Sequence, residues 1–225
     1  MEQPDRGFFY HTVKYSALPV FKVYFRLAVR GKRNVPATGP CIVAANHCSY
    51  LDPAVLGAAC PRMLRFLMTS RLYHARSQHW FYRGMQAVPV HQDGRGALHS
   101  LKKVLRLLER GHAVGIFPEG TRSATGQFQE GKQGIGFLAE RSRVPVVPTG
   151  ILGAHRAMPR GAAFPRPSPV TVAFGEPYRF DFAAVGDRRR AMEAFTADLM
   201  ERIRGLVESQ APPAALPAPP VSSRP

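Results

Sequence analysis

Residues 41–53 read CIVAANHCSYLDP, and this stretch decides the fold. The apolar run Cys41–Ala45 predicts a buried strand, and Asp52 followed by Pro53 predicts a helix with Asp52 as its N-cap. A strand that leads into a helix is the repeating unit of an α/β domain. His47 then lies at the carboxyl end of the strand, where binding sites form in such sheets.

The same alternation continues along the chain. Further strands are predicted at Leu64–Thr69, Ala113–Phe117, Val144–Pro148 and Val170–Phe174. Amphipathic helices are predicted at Gly96–Arg110, Lys132–Arg141 and Met192–Val207. The alternation predicts an α/β fold in which helices flank a mostly parallel central sheet.

The two ends of the chain differ from this middle part, so we divide the chain into residues 1–33, 34–208 and 209–225. Residues 8–33 are rich in aromatic and aliphatic side chains, and one continuous helix there would place four cations beside an apolar face: Lys22, Arg26, Arg30 and Arg33. This pattern is typical of an amphipathic helix at a membrane surface, although a helix that docks on the sheet is an alternative. Pro19 is expected to start or kink this helix. The proline-rich residues 209–225 predict a disordered tail.

Composition narrows the possible partners. The chain has 225 residues and a formal net charge of +16, which favours nucleic acid, an anionic membrane surface or a phosphorylated substrate. We find no helix-turn-helix or RNA-binding pattern. The three cysteines lack the spacing of a zinc site or a disulfide framework. The sequence also shows no apolar stretch long enough to span a membrane and no secretory signal.

The first chemical pattern is the histidine motif, residues 46–52. A carboxylate at Asp52 can accept a hydrogen bond from one imidazole nitrogen of His47, which leaves the other nitrogen to take a proton from a hydroxyl. Each residue alone has a plainer interpretation, Asp52 as a helix cap and His47 as a polar loop residue. Cys48 is expected to be inert.

The second pattern is the arginine motif, residues 117–123, which reads FPEGTRS and follows another predicted strand. Arg122 can make two parallel hydrogen bonds to a phosphate, with Thr121 or a backbone N–H adding a third. Glu119 can accept from a hydroxyl of the same ligand. The plainer alternative is that Glu119 and Arg122 pair with each other and hold a loop.

Together the two motifs resemble those of the glycerophospholipid acyltransferases, specifically the 1-acylglycerol-3-phosphate (lysophosphatidic acid) acyltransferase group. Asn46, His47 and Asp52 match that family's first block, and residues 117–123 match its third block letter for letter. Val144–Pro148 matches the fourth block, and Gly84–Val90 matches the second more loosely. The resemblance spans about residues 10–180, in the family's order and spacing.

The resemblance implies a mechanism without a covalent intermediate. His47 would be the general base on the free hydroxyl of a lysophospholipid, and Asp52 would hold the imidazole tautomer. The acceptor oxygen would attack the thioester of acyl-coenzyme A or acyl carrier protein, with backbone N–H groups of the Asn46–Ser49 turn as a possible oxyanion site. The implied substrate-binding residues are Asn46, Glu119, Gly120, Thr121, Arg122, Ser123 and Lys132. The resemblance implies no cofactor and no metal.

Two departures bear on the acceptor. Gln92 stands where the family's second block has an arginine, and Thr69 stands where the family often has a lysine. The acceptor implied by the resemblance is 1-acylglycerol-3-phosphate, but another lysolipid or an amine-bearing lipid, acylated by transfer or by transacylation, is an alternative. A basic nucleic-acid-binding module is a third interpretation, and it leaves both motifs unexplained. The acyltransferase interpretation predicts a peripheral, monotopic protein on the cytoplasmic face of the cell membrane.

Overall fold

A seven-stranded sheet forms the centre of the computed structural model, which describes residues 7–75, 78–91 and 94–210. Its strands are β1 (Ala28–Arg30), β2 (Cys41–Ala45), β3 (Leu64–Thr69), β4 (Val88–Val90), β5 (Ala113–Ile116), β6 (Val146–Leu152) and β7 (Thr171–Phe174). The helices are α1 (Gly7–Tyr24), α2 (Asp52–Ala59), α3 (Ser70–Tyr73), α4 (His79–Gly84), α5 (Gly94–Glu109), α6 (Gly134–Ser142), α7 (Ala154–Ala157) and α8 (Arg188–Glu208). Short 3-10 turns occupy Lys32–Asn34 and Ala183–Val185.

The strand order is β1-β7-β6-β2-β5-β3-β4. Every neighbouring pair is parallel except β6 and β7, which run antiparallel. The predicted α/β fold with a mostly parallel central sheet is therefore confirmed. Because β2 and β5 are parallel neighbours, the loops that follow them leave the sheet at the same edge.

Alternating side chains of β2 enter two separate cores. Cys41 and Val43 pack with α2 and α7 on one face of the sheet, whereas Ile42 and Ala44 pack with α5, α6 and α8 on the other. The period of two explains why a strand buried on both faces reads as a continuous apolar run.

Most predicted elements are present with shifted ends. The strands at Cys41–Ala45 and Leu64–Thr69 agree with β2 and β3. The strand predicted at Val144–Pro148 instead spans Val146–Leu152, because Pro148 does not end it: β6 pairs with β2 up to Thr149 and then continues against β7.

The prediction of one helix over residues 8–33 is wrong. Helix α1 ends at Tyr24, Arg26 turns the chain with φ of +44°, and Ala28–Arg30 form an edge strand beside β7. Arg26, Arg30 and Arg33 therefore do not continue the helical edge that begins with Lys22. Pro19 lies inside α1 and does not start it.

Helix α1 packs against α2 through two buried side chains. Tyr10 is 1% exposed and its hydroxyl accepts a hydrogen bond from the backbone of Leu64, while Lys14 donates to the carbonyl of Cys60. Burial lowers the pKa of Lys14 and raises the pKa of Tyr10 to about 12. Within the described ranges, none of the helices combines the length and the apolar composition needed to cross a bilayer. Of the predicted tail, residues 211–225 lie outside the described residues.

Candidate active site

The histidine and arginine motifs meet at the carboxyl edge of the sheet. The first follows β2, the second follows β5, and these strands are paired from Cys41 with Ala113 to Ala44 with Ile116. Two backbone hydrogen bonds join the motifs directly: the N–H of His47 donates to Glu119 Oε1 at 2.9 Å, and the N–H of Ser123 donates to the carbonyl of His47 at 2.9 Å.

His47 and Asp52 form the pair that the spacing predicts. His47 Nδ1 lies 2.7 Å from Asp52 Oδ2, the carboxylate is fully buried, and the imidazole is 16% exposed. Since a carboxylate only accepts hydrogen bonds, this contact places the proton of a neutral imidazole on Nδ1 and leaves Nε2 as an acceptor. This is the protonation state that a general base requires.

Asp52 also organises the turn between strand and helix. Its Oδ2 accepts from the backbone N–H groups of Cys48 and Ser49, each at 2.7 Å. The prediction of Asp52 as N-cap is therefore wrong: Asp52 is the first residue of α2, the residue before it is Leu51, and the carboxylate points back to the turn.

Three of the four N–H groups expected to form an oxyanion site in this turn already have partners. The N–H groups of Cys48 and Ser49 are bonded to Asp52, and that of His47 is bonded to Glu119. Cys48 is buried, and this burial, with Asp52 and Glu119 nearby, raises the pKa of its thiol. A raised pKa opposes formation of the nucleophilic thiolate.

An aromatic stack fixes the plane of the imidazole. The ring of His47 lies 4.1 Å from that of Phe117, with 17° between the planes, and Phe117 is stacked at 6.2 Å on Phe66. Phe66 belongs to β3, Phe117 follows β5 and His47 follows β2, so residues from three strands together set the orientation of the imidazole ring. No sequence pattern predicts this stack, because it depends on the strand order that places β3 beside β5.

Glu119 is 3% exposed and holds the two loops together. Besides the contact with His47, its Oε2 accepts from Gln129 Nε2 at 3.2 Å, and Gln129 also donates to the carbonyl of Thr121 at 3.0 Å. Burial raises the pKa of Glu119, although the bonds from His47 and Gln129 oppose that shift. No ion pair between Glu119 and Arg122 occurs among the described residues, so the simple loop-pinning pair is not observed.

Arg122 packs on an aromatic ring from the histidine motif. Its Cζ lies 3.3 Å from the centre of the Tyr50 ring, and its buried Nη1 makes no hydrogen bond with any part of the chain that the structure describes. Nη1 is therefore an unsatisfied buried donor, which an anionic ligand that reaches the guanidinium would satisfy.

The remaining predicted site residues occupy three different environments. Asn46 is buried and bonds the backbone of Ile151 in β6 twice, so its amide holds the neighbouring strand. Ser123 is also buried, and Thr121 is exposed beside Gln129.

Gly120 has φ of +71°, and a Cβ there would meet the side chain of Lys132 at 2.9 Å. The left-handed φ favours glycine at this position, whereas the exposed end of the Lys132 side chain could move aside.

A cavity of 150 Å³ lies against the histidine motif. His47 and Glu119 line it, together with four apolar side chains: Phe128, Ile151, Leu152 and Val207. His155 also lines it, and its Nδ1 donates to the carbonyl of Cys48 at 3.2 Å. The cavity provides a space of mixed polar and apolar lining beside the imidazole, which the sequence patterns do not predict.

The weakly matching second block lies farther away in the sheet. Its strand β4 is separated from β2 by β3 and β5. Thr69 ends β3 opposite Val90, and Arg71 is exposed in α3. Gln92 lies outside the described residues. Among the described residues, no group of three or more histidine, cysteine, aspartate and glutamate side chains is arranged to hold a metal ion.

The chain is similar in sequence to known proteins. A family model described as Acyltransferase matches residues 26–152. The chain is 30% identical over 141 residues to the chloroplastic 1-acyl-sn-glycerol-3-phosphate acyltransferase of Brassica napus, covering 62% of this chain and 41% of that protein. It is 29% identical over 180 residues to the 1-acyl-sn-glycerol-3-phosphate acyltransferase of Bacillus subtilis, covering 79% of this chain and 86% of the relative.

The fold also has a solved counterpart. The crystal structure of the 1-acyl-sn-glycerophosphate acyltransferase of Thermotoga maritima superposes with a TM-score of 0.69 at 24% identity, over 93% of this chain and 85% of that chain. The chain spans less than half the length of the chloroplastic relatives it matches. At this identity, the structural match supports the fold.

Proposed function

The chain belongs to the acyltransferase family, and from that premise we propose that it transfers a fatty acyl group from a thioester to the free hydroxyl of 1-acylglycerol-3-phosphate, giving phosphatidic acid. The observation that carries the proposal is the 2.7 Å contact between His47 Nδ1 and the buried Asp52, at a site joined to the Arg122 loop. The relatives named above are 1-acyl-sn-glycerol-3-phosphate acyltransferases, which favours the same acceptor here.

In the proposed reaction, His47 Nε2 takes the proton of the acceptor hydroxyl as its oxygen attacks the thioester carbonyl. An ester bond forms, the carbon–sulfur bond breaks, and the thiolate leaves as a thiol after it takes the proton from the imidazolium. Asp52 stabilises the imidazolium and keeps the ring in the reactive orientation. Burial of Asp52 and the Phe117 stack limit rotation of that ring.

Arg122 binds the phosphate of the acceptor in this proposal. A guanidinium matches two phosphate oxygens with parallel N–H donors, and Nη1 of Arg122 is without a hydrogen bond among the described residues. Glu119 lines the same cavity as His47, and a carboxylate has acceptor capacity beyond its two observed bonds, so we assign it to a glycerol hydroxyl. Acyl-coenzyme A and acyl carrier protein both supply the required thioester, and no cofactor or metal enters this scheme.

The proposal includes attachment to an anionic membrane, on the cytoplasmic face. Tyr10 and Lys14 hold helix α1 to the domain. The helix exposes four large apolar side chains, each more than half exposed: Phe8, Tyr15, Val20 and Val23. Its end lies near the catalytic edge, because β1 starts opposite Thr171, which pairs with Leu152 at the end of β6. Lys22 lies in the last turn of the same helix. An exposed apolar helix face with a nearby cation is the arrangement that binds at a lipid interface.

A different lysolipid is the second candidate acceptor. Thr69 at the end of β3 supplies no charge where the family resemblance implies a lysine. A missing charged hydrogen bond to phosphate weakens binding by about 1.5–3 kcal/mol. The same catalytic pair would then acylate a lysolipid without a phosphomonoester. The nucleic-acid alternative gains no support from a family match that spans both motifs.

The test is an acyl-transfer assay with product identification by mass spectrometry. Purified protein is given palmitoyl-coenzyme A or palmitoyl-acyl carrier protein, and lysophosphatidic acid, lysophosphatidylcholine or monoacylglycerol as acceptor. We expect phosphatidic acid to form fastest, and we expect Arg122→Ala to raise the KM for lysophosphatidic acid more than it lowers kcat. A preference for lysophosphatidylcholine would show that this lipid, and not lysophosphatidic acid, is the acceptor. Absence of any ester product with both donors would overturn the proposal.

A further inference from the structure

Tyr50 lies inside the histidine motif but has no role in the chemistry described so far. Its ring is 51% exposed, and it faces the guanidinium of Arg122 with 3.3 Å between Cζ and the ring centre. The turn that carries Tyr50 is rigid, because Ser49 bonds both Asp52 and the carbonyl of Met158. A ring carried on a fixed backbone turn therefore faces Arg122 from the loop that also carries His47.

Arg122 lacks the contact that most commonly holds an arginine. No carboxylate pairs with it among the described residues, and its buried Nη1 has no hydrogen-bond partner there. A carboxylate partner would occupy the same N–H donors that a phosphate needs. An aromatic ring instead attracts the flat face of the cation and leaves the donors in the guanidinium plane free.

We propose that Tyr50 is a positioning residue that holds the Arg122 guanidinium by stacking and presents its free N–H donors to the phosphate of the acceptor. This inference rests on the proposed function and deepens it, because it makes acceptor recognition depend on the same turn that carries the catalytic histidine. Tyr50 acts through Arg122 and not on the reacting atoms. Its hydroxyl is not needed for the stacking, so a phenylalanine replaces it.

The kinetic test compares Tyr50→Leu, which removes the π-face, with Tyr50→Phe, which keeps it. We expect Tyr50→Leu to raise the KM for lysophosphatidic acid about 3- to 30-fold, with kcat and the KM for the thioester unchanged. Tyr50→Phe should behave like the wild type. With monoacylglycerol, which has no phosphate, neither change should alter KM.

Two outcomes of the kinetics would overturn the inference. One is a wild-type KM for lysophosphatidic acid in Tyr50→Leu. The other is an equal loss with monoacylglycerol, which would indicate a general structural or membrane role for Tyr50. In an Arg122→Ala background, Tyr50→Leu should have no further effect, and an additive loss would also contradict the coupling.

A nuclear magnetic resonance measurement separates this inference from the proposed function, because it needs no turnover. The Arg122 Nε–H signal, assigned with Arg122→Lys, should be shifted upfield by the ring in the wild type and Tyr50→Phe, and this shift should be lost in Tyr50→Leu. Titration with inorganic phosphate should move the signal, with weaker binding in Tyr50→Leu. A signal that is the same in all three proteins overturns the inference even if the enzyme is active, and the expected shifts support it even if lysophosphatidic acid is not the acceptor.

Discussion

Asp52 is the residue on which both the catalytic geometry and the local fold depend. One carboxylate oxygen accepts from His47 Nδ1 and from two backbone N–H groups, all at 2.7 Å. A general base and the turn that carries it are thus held by the same buried atom. Removal of its charge should affect activity and stability together.

We expect Asp52→Asn to lower kcat by at least about a hundredfold, since a neutral amide stabilises the imidazolium poorly and permits the wrong tautomer. The free energy of unfolding should fall by about 1–3 kcal/mol, because a charged acceptor of buried N–H groups is lost. Urea unfolding and initial rates measure the two effects. The control is Asp198→Asn, a partly exposed carboxylate paired with Arg202 on α8, which should change stability by less than about 1 kcal/mol and leave activity intact. Wild-type rates in Asp52→Asn would refute the role of the carboxylate.

The buried carboxyl group of Glu119 should make the free energy of unfolding depend on pH. Burial raises its pKa above the ordinary value of 4.5, so the folded state binds this proton more tightly than the unfolded state does. Its contribution to stability is therefore full below pH 4.5 and is lost as pH rises through the folded pKa. In Glu119→Gln this titration is absent.

The free energy of unfolding of the wild type minus that of Glu119→Gln should therefore decrease as pH rises from below 4.5 toward neutrality. Denaturant titrations of both proteins across that range measure the difference, in which all other titrating groups cancel. A difference that increases with pH would mean that the hydrogen bonds from His47 and Gln129 outweigh burial.

At the scale of secondary structure, strand β5 shapes the site through a glycine. A Cβ at Gly115 would lie 2.5 Å from the ring of Phe66, and that ring stacks on Phe117, which stacks on His47. The absent side chain in β5 thus leaves room for the aromatic stack that orients the imidazole.

We expect Gly115→Ala to destabilise the protein by about 1–3 kcal/mol through overpacking and to lower kcat by displacing the stack. The matched control is Gly205→Ala in α8, where a Cβ meets nothing within 4 Å and helix propensity should raise stability by about 0.5–1 kcal/mol. Chemical unfolding and kcat are measured for both variants. If Gly115→Ala were as stable and as active as the wild type, the stack would not be set by this close contact.

The strands also show which parts of the fold can be predicted from the sequence. Strands β2 and β3 were predictable because each is a short apolar-rich run, fully buried in β2 and half-buried after Leu64 in β3. The pairing of His47 with Asp52 followed from their positions around one strand end. Strand β1 was not predictable, because its three exposed residues gain their structure from β7, which lies far along the chain.

The contacts of Phe66 and Gln129 with the site were missed for a similar reason. Each depends on strand order in the sheet or on the path of a loop, and neither residue carries a local sequence signal. The sequence interpretation assigned Asn46 to a ligand, whereas its amide bonds β6. Asp52 pairs with His47 as predicted, but it also bonds the N–H groups of the catalytic turn, a role that was not predicted.

At the scale of the whole molecule, one face of α1 is the proposed attachment to lipid. Truncation at residue 33 is a poor test, because it also removes β1 from the sheet. Substitution of the exposed Val20 and Val23 leaves the buried contacts of Tyr10 and Lys14 in place. These two valines lie toward the end of α1 that approaches the catalytic edge.

We expect the double change Val20→Glu and Val23→Glu to reduce binding to vesicles of phosphatidylcholine and phosphatidylglycerol by at least about tenfold, because apolar contact is lost and charge repulsion is added. Sedimentation with vesicles measures the bound fraction, and thermal melting confirms that the variant is folded. Ala184→Glu with Val185→Glu, on an exposed turn beside α8, is the control of equal charge and should bind like the wild type. Equal sedimentation of the α1 variant would mean that this face does not contact lipid.

The central claim is that His47 is the general base of acyl transfer to a lysophospholipid. The most direct test is the initial rate of phosphatidic acid formation from palmitoyl-coenzyme A and lysophosphatidic acid, measured for the wild type and His47→Ala at equal concentration of folded protein. We expect steady turnover by the wild type and a loss of at least about a hundredfold in His47→Ala, the scale of a general-base contribution. Turnover by His47→Ala close to that of the wild type would contradict it.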